Sequence, residues 1–162
     1  MKIHQVLFAP GSSAFFFDDQ QAIKQGARHD GFVYAASPAT PGFARVRMAG
    51  ESISVLLVLE DGQIAVGDCA AVQYSGAGGR DGVFLAQTYL PVLEQHVRPY
   101  LAGRDVAAFR DMAEAICRMH VDGHPLHTAI RSGVTQALLD ARAKARHMLR
   151  NMLGAATLVG EL

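Results

Sequence analysis

The sequence has no tryptophan, only two cysteines and no surplus of charge of either sign. Lys and Arg total 15, Asp and Glu total 15, and the formal net charge is zero. Gripping a phosphate backbone relies on a basic surplus that releases counterions, so the balance argues against a dedicated nucleic-acid protein. Cys69 and Cys117 lie far apart and form no Cys-x-x-Cys pair. They suggest neither a disulfide framework nor a thiolate zinc site, and a reducing compartment suits them. Long apolar runs are missing too. The longest charge-free one covers residues 53–59, is interrupted by Ser54, and is too short to span a bilayer. The first ten residues, with His4 and Gln5 breaking a short apolar stretch, do not read as a signal peptide. The expectation is a cytoplasmic protein without membrane or nucleic-acid partners.

What is present is enough apolar material for a core. Half of the 162 residues are hydrophobic and 19% are charged, which suits one folded domain rather than a disordered chain.

The first half reads as strands and loops. Residues 3–8 form a candidate strand. Residues 10–42 are rich in Gly, Ser, Pro and Asp, with one short helical candidate at 18–26. Residues 43–48 suit a second strand. Residues 52–60 and 63–69 are β-rich runs separated by Asp61-Gly62, which predicts an antiparallel hairpin with a type I′ turn.

The second half has helical periodicity. Asp81 is placed to cap a helix over 81–101, with Leu85, Tyr89, Val92, Leu93 and Val97 on one side and Pro91 kinking or dividing it. Asp105 is placed to cap a second helix that buries Val106, Phe109, Met112, Ala113, Ile116 and Met119. A third helix is expected from near Pro125 to about Leu153. Its Ala129, Gly133, Ala137, Ala141 and Ala145 lie four apart, a ridge that another backbone can approach closely. Strands first and helices after, without βαβ alternation, predict an α+β fold: an antiparallel β-meander followed by a helical bundle.

Several segments could carry chemistry. Gln73-Tyr74-Ser75-Gly76-Ala77-Gly78-Gly79-Arg80-Asp81 joins a strand to a helix. Glycines there let a ligand approach the backbone, and amides at a helix start attract anions. The spacing matches neither the Rossmann fingerprint nor a P-loop. A connector and a ligand loop both fit, and the polar Gln73, Tyr74, Ser75 and Arg80 favour the ligand loop. His120, His124 and His127 are spaced four and three apart, but Asp122-Gly123 and Pro125 interrupt any helix that would converge them. They read as polar loop residues rather than metal ligands. Ser75 lacks the setting of a nucleophilic serine. Cys69 and Cys117 read as buried apolar fillers. Asp18-Asp19 reads as a cap and a solvated first turn.

Longer motifs carry a resemblance. Phe17-Asp18-Asp19-Gln20, His29-Asp30-Gly31-Phe32, the run from Gly50 to Gln63, the run from Gly67 to Asp81, and Leu126-His127-Thr128-Ala129-Ile130-Arg131 are similar to the amino-terminal domain of the methylaspartate ammonia-lyase family, in the enolase superfamily. The likeness covers residues 1–147, read as an enolase-like capping domain. Residues 148–162 depart from it and are read as a divergent tail.

The resemblance implies an α+β cap preceding a (β/α) barrel. It implies elimination of ammonia from 3-methylaspartate to give mesaconate. The lysine base, the histidine for the other face and three carboxylates holding Mg²⁺ would all come from the barrel. A barrel takes about 250 residues, so it is absent here, and no catalytic or metal residue maps onto this chain. Gln73 matches a family glutamine that reaches the substrate. By this reading the chain needs its barrel or another subunit as partner, could form a homo-oligomer, takes a small amino-acid substrate only as part of the complete enzyme, and is inactive alone. The alternative is a stand-alone module that holds a small anion at residues 76–80. The small-residue ridge of the third helix is expected to meet the barrel, and without it to leave an apolar patch.

Overall fold

A computed structural model describes residues 1–71 and 81–147. Three strands, β1 (Ile3–Phe17), β2 (Arg47–Leu59) and β3 (Ile64–Ala70), form an antiparallel meander in the order β1-β2-β3. Alternate residues of β2 point into the core: Ile53, Val55, Leu57 and Leu59 are buried, and Ala65 and Cys69 join them from β3. This period of two defines one face that must be covered.

The helices supply the cover. They are α1 (Gln20–Lys24), α2 (Ala86–Val92), a π-helical turn (Leu93–Val97), α3 (Arg98–Leu101), a 3-10 turn (Val106–Ala108), α4 (Phe109–Arg118) and α5 (Thr128–Ala145). A two-stranded ladder, β4 (His120–Val121) with β5 (His124–Pro125), links α4 to α5. α5 lies along the covered face of the sheet, burying Ile130, Val134, Ala137, Leu138 and Ala141, and α4 adds Met112 and Ile116. The start of the chain is stitched to the α3–α4 connection: Ile3 N–H donates to Arg104 O at 2.9 Å, and Gly103 N–H to Ile3 O at 2.8 Å. Asp105 caps the 3-10 turn by accepting from Ala107 N–H at 2.8 Å, as its position ahead of the second helical period requires.

The α+β expectation holds, and several boundaries move. β1 continues to Phe17 through Pro10-Gly11-Ser12-Ser13, which has the composition of a loop. β2 pairs with it throughout, Pro10 facing Ile53 and Phe17 facing Arg47. Proline is tolerated because β1 is an edge strand. The expected strand at 52–60 therefore starts earlier, at Arg47, while residues 43–46 of the other expected strand are not in a strand. The hairpin is confirmed but its turn is not type I′. Gly62 alone has positive φ (84°), Gly62 N–H donates to Leu59 O, and Leu59 N–H donates to Gln63 O. This is a three-residue loop closed by a glycine bulge.

The first long helix begins at Ala86 rather than Asp81. Glu51, from β2, accepts from Ala86 N–H at 2.5 Å. Pro91 lies inside α2 and has no N–H to return to the preceding turn. The backbone rewinds as the π-turn immediately after it. α5 ends at Ala145, followed by His147 with φ 54°, a left-handed residue that stops a helix. The part of the expected third helix beyond His147 lies outside the described residues.

The small-residue ridge also has a different role from the one expected. Ala129, Gly133, Ala137 and Ala141 are buried against β3 within this domain, not left facing outward. A Cβ on Gly67 would come within 2.7 Å of Ala137 N, and one on Gly133 within 2.5 Å of Cys69 N. The ridge thus supplies no patch for self-association. Cys69 is buried as expected, whereas Cys117 is exposed.

Asp18 and Asp19 are buried rather than solvated. Asp18 accepts from Ala39 N–H (2.6 Å), Thr40 N–H (2.7 Å) and Thr40 Oγ1 (2.8 Å). Asp19 pairs with Arg47 Nε at 2.5 Å, and the Arg47 guanidinium lies over the rings of Phe17, Phe32 and Tyr34 at 5.0–5.4 Å. These two carboxylates therefore organise the long β1–β2 connection.

Candidate functional site

Gln73, Tyr74, Ser75 and Gly76 to Arg80 lie outside the described residues. The structure does define what flanks them. On the entry side β3 ends at Ala70, paired with Ser52 of β2. On the exit side Asp81 and Gly82 are tied to the start of α5. Asp81 Oδ2 accepts from the Thr128 hydroxyl at 2.5 Å and from Thr128 N–H at 3.1 Å. Partial burial pushes the Asp81 carboxyl up, but the Thr128 donors outweigh it and hold it below its usual 3.8.

His127 completes the junction. It caps α5, with Nδ1 accepting from Ala129 N–H at 3.0 Å. That contact makes Nδ1 an acceptor, so the ring proton sits on Nε2 and is donated to Gly82 O at 3.1 Å. Burial pushes the His127 pKa below 6.5, more than the Gly82 carbonyl and Asp81 raise it. The ring stands edge-on to Phe84 and Tyr89 (centroids 5.1 and 5.0 Å), which stack on each other at 5.0 Å. Burial, followed by the Asp81 charge, raises the Tyr89 phenol. A cleft of about 440 Å³ opens here, bordered by Asp81, Gly82, Tyr89, Val121, His124 and His127.

The three histidines expected in a loop divide accordingly. His127 is buried and structural. His120 and His124 are exposed on the β4–β5 ladder, where the ring of His120 meets Arg118 O at 2.8 Å. Among the described residues, no group of three His, Cys, Asp or Glu side chains could hold a metal ion. Among the same residues, no helix is long and apolar enough to cross a membrane. Cys69 is sealed beneath α5, and burial, helped by the Asp68 charge, pushes its thiol up to about 12. That is a poor state for a nucleophile.

Sequence reasoning missed Asp81 as a cap of α5. In the sequence it reads as a cap of the helix that follows it, whereas its partner is 47 residues away. His127 did carry a signal, standing immediately ahead of the apolar period of α5.

A structure of a mandelate racemase/muconate lactonizing enzyme from Sorangium cellulosum matches 86% of the chain with a TM-score of 0.53 at 17% identity, covering 30% of that chain, a likeness of fold alone. The fold is thus an α+β domain of antiparallel meander and covering helices. Residues 1–155 match the model of the methylaspartate ammonia-lyase amino terminus, and the chain belongs to that family.

The methylaspartate ammonia-lyase of Clostridium tetanomorphum is 62% identical over 146 residues, which are 90% of this chain and 35% of that enzyme. A magnesium complex of the β-methylaspartase of that organism superposes with a TM-score of 0.86 at 59% identity, covering 94% of this chain and 37% of the other. A Q73A variant of the same enzyme gives the same score. The Citrobacter amalonaticus enzyme, solved with (2S,3S)-3-methylaspartic acid, matches at 0.86 and 58% identity, covering 94% and 37%. The chain thus spans about a third of the length of the relatives it matches.

Proposed function

We propose that this chain is the substrate-capping part of an enzyme that eliminates ammonia from 3-methylaspartate to give mesaconate. Its family membership over residues 1–155 carries the reading. In this reading residues 1–147 are the cap, ending at the left-handed His147, and Gln73 contacts the substrate from it.

The described residues do not fit a magnesium site, since they offer no cluster of three ligating side chains. In the complete enzyme Mg²⁺ and the proton-abstracting groups would lie in the two-thirds of the relatives' length that this chain does not span. What these residues contribute is position. β3 ends at Ala70, and Asp81 and Gly82 are held to the start of α5, so the described residues on either side of the glycine-rich segment have fixed places.

The test is complementation. The chain is co-expressed with the carboxy-terminal part of the Clostridium tetanomorphum enzyme, and mesaconate absorbance is followed with 3-methylaspartate and Mg²⁺. Turnover in the assembled protein, lost with Gln73→Ala and absent from the chain alone, is expected. Turnover by the chain alone, or tight calorimetric binding of mesaconate to it, would replace this reading with that of a self-sufficient module.

A further inference from the structure

His127 is 6% exposed, and both of its ring nitrogens are used in a way that only the neutral ring allows. Nδ1 accepts from Ala129 N–H at 3.0 Å and so carries no proton, while Nε2 carries one and donates it to Gly82 O at 3.1 Å. A second proton has only Nδ1 to go to. There it would point at the Ala129 N–H, donor against donor, and the first turn of α5 would lose its cap. The charged ring escapes this only by turning out of its place, and the cleft of about 440 Å³ that it borders gives it room. Its charged and titratable neighbours are Asp81, Tyr89 and Arg131, with Asp122 and His124 bordering the same cleft from the β4–β5 hairpin. Asp81 is held below its usual 3.8 and Tyr89 above its usual 10, so neither changes charge in the range where a histidine does. Arg131 keeps its charge throughout.

We infer that His127 is an acid-released latch: the neutral ring joins the start of α5 to Gly82, and a proton taken up on Nδ1 turns the ring into the cleft and parts the two. The release is local. Val134, Leu138 and Ala141, buried where α5 lies on the sheet, begin about two turns beyond His127. The β1–β2–β3 ladder is built without the ring. The latched form excludes the second proton and the released form accepts it, so falling pH shifts the balance toward release. Burial adds to the exclusion, holding the latched ring below its ordinary 6.5. The inference goes beyond the capping-domain reading and does not depend on it, because the latch lies wholly within residues 81–130.

The test is a pH titration of the 162-residue chain by nuclear magnetic resonance. At neutral pH the His127 ring should carry its proton on Nε2 and none on Nδ1. Exchange of the Ala129 amide is followed as protection, that is, relative to the rate of an unstructured amide at the same pH. Below about pH 6.5 this protection should fall by up to roughly tenfold per pH unit until the latched ring itself titrates, while the amides of β2 and β3 keep theirs. His127→Asn supplies an acceptor for Ala129 N–H that takes up no proton, and the fall should vanish in it. His124→Gln removes the other histidine at the cleft and should leave the fall in place. A flat profile at Ala129, a fall that persists in His127→Asn, or a protonated Nδ1 at neutral pH overturns the latch. An equal loss of protection across the sheet overturns it too, since that is global unfolding. Should His127→Asn not fold, the wild-type ring and the confinement of the fall to the start of α5 decide.

Discussion

Gly67 of β3 and Gly133 of α5 face each other with no side chain between them, and a Cβ on Gly133 would sit 2.5 Å from Cys69 N and 2.6 Å from the Asp68 carbonyl carbon. This contact sets the distance at which the longest helix lies on the sheet. Gly133→Ala would push backbone against backbone, where no rotamer change gives relief. We expect a loss of about 3 kcal/mol, the upper part of the range for overpacking. The melting temperature should fall by roughly 6–12 °C. Calorimetry checks this. An unchanged melting temperature would mean that α5 is free to lift.

His127 gives a pH signature. Its pKa in the folded chain lies below its ordinary 6.5, mainly through burial. The unfolded chain therefore takes up a proton before the folded one does. The stability associated with neutral His127 is fully present above about pH 6.5 and is lost as pH falls through the lower folded value. Melting temperatures measured from neutral pH downward should show this loss. In His127→Asn the corresponding step should be smaller.

Arg47 holds the β1–β2 connection through Asp19, the Phe32 carbonyl and three aromatic rings. Arg47→Met leaves the buried Asp19 carboxylate without this partner, at a cost of about 3 kcal/mol. Adding Asp19→Asn should recover part of it. The two changes should therefore be non-additive in a double-mutant cycle read by denaturant unfolding.

The two cysteines should separate by reactivity. Exposed Cys117 should react promptly with a thiol reagent in the folded protein. Cys69, buried and with its thiol pushed up to about 12, should react only after unfolding. Two equivalents of rapid reaction under native conditions would contradict the packing of α5 over β3.

Legibility followed the range of the interactions. The Asp61-Gly62 hairpin and the Asp105 cap were readable because each is decided within a few residues. The turn type was misjudged because Asp-Gly also suits a glycine bulge, and the pairing of Leu59 with Gln63 selects it. β1 was read too short because Pro10 to Ser13 has no strand propensity of its own. Its conformation comes from pairing with a strand some forty residues later. Asp18 and Asp19 looked like a helix start because the residues that surround them come from elsewhere in the chain, as far away as Arg47.

By itself the sequence determined the α+β layout, the hairpin, the helical periods and the family likeness. These depend on local propensity and on motifs of contiguous residues. The tertiary structure alone decided that Gly67 meets Gly133, that Asp81 caps a distant helix, and that His127 holds Gly82. Such contacts join positions up to 66 residues apart. Their existence depends on the path of the whole chain, which no short window of residues encodes.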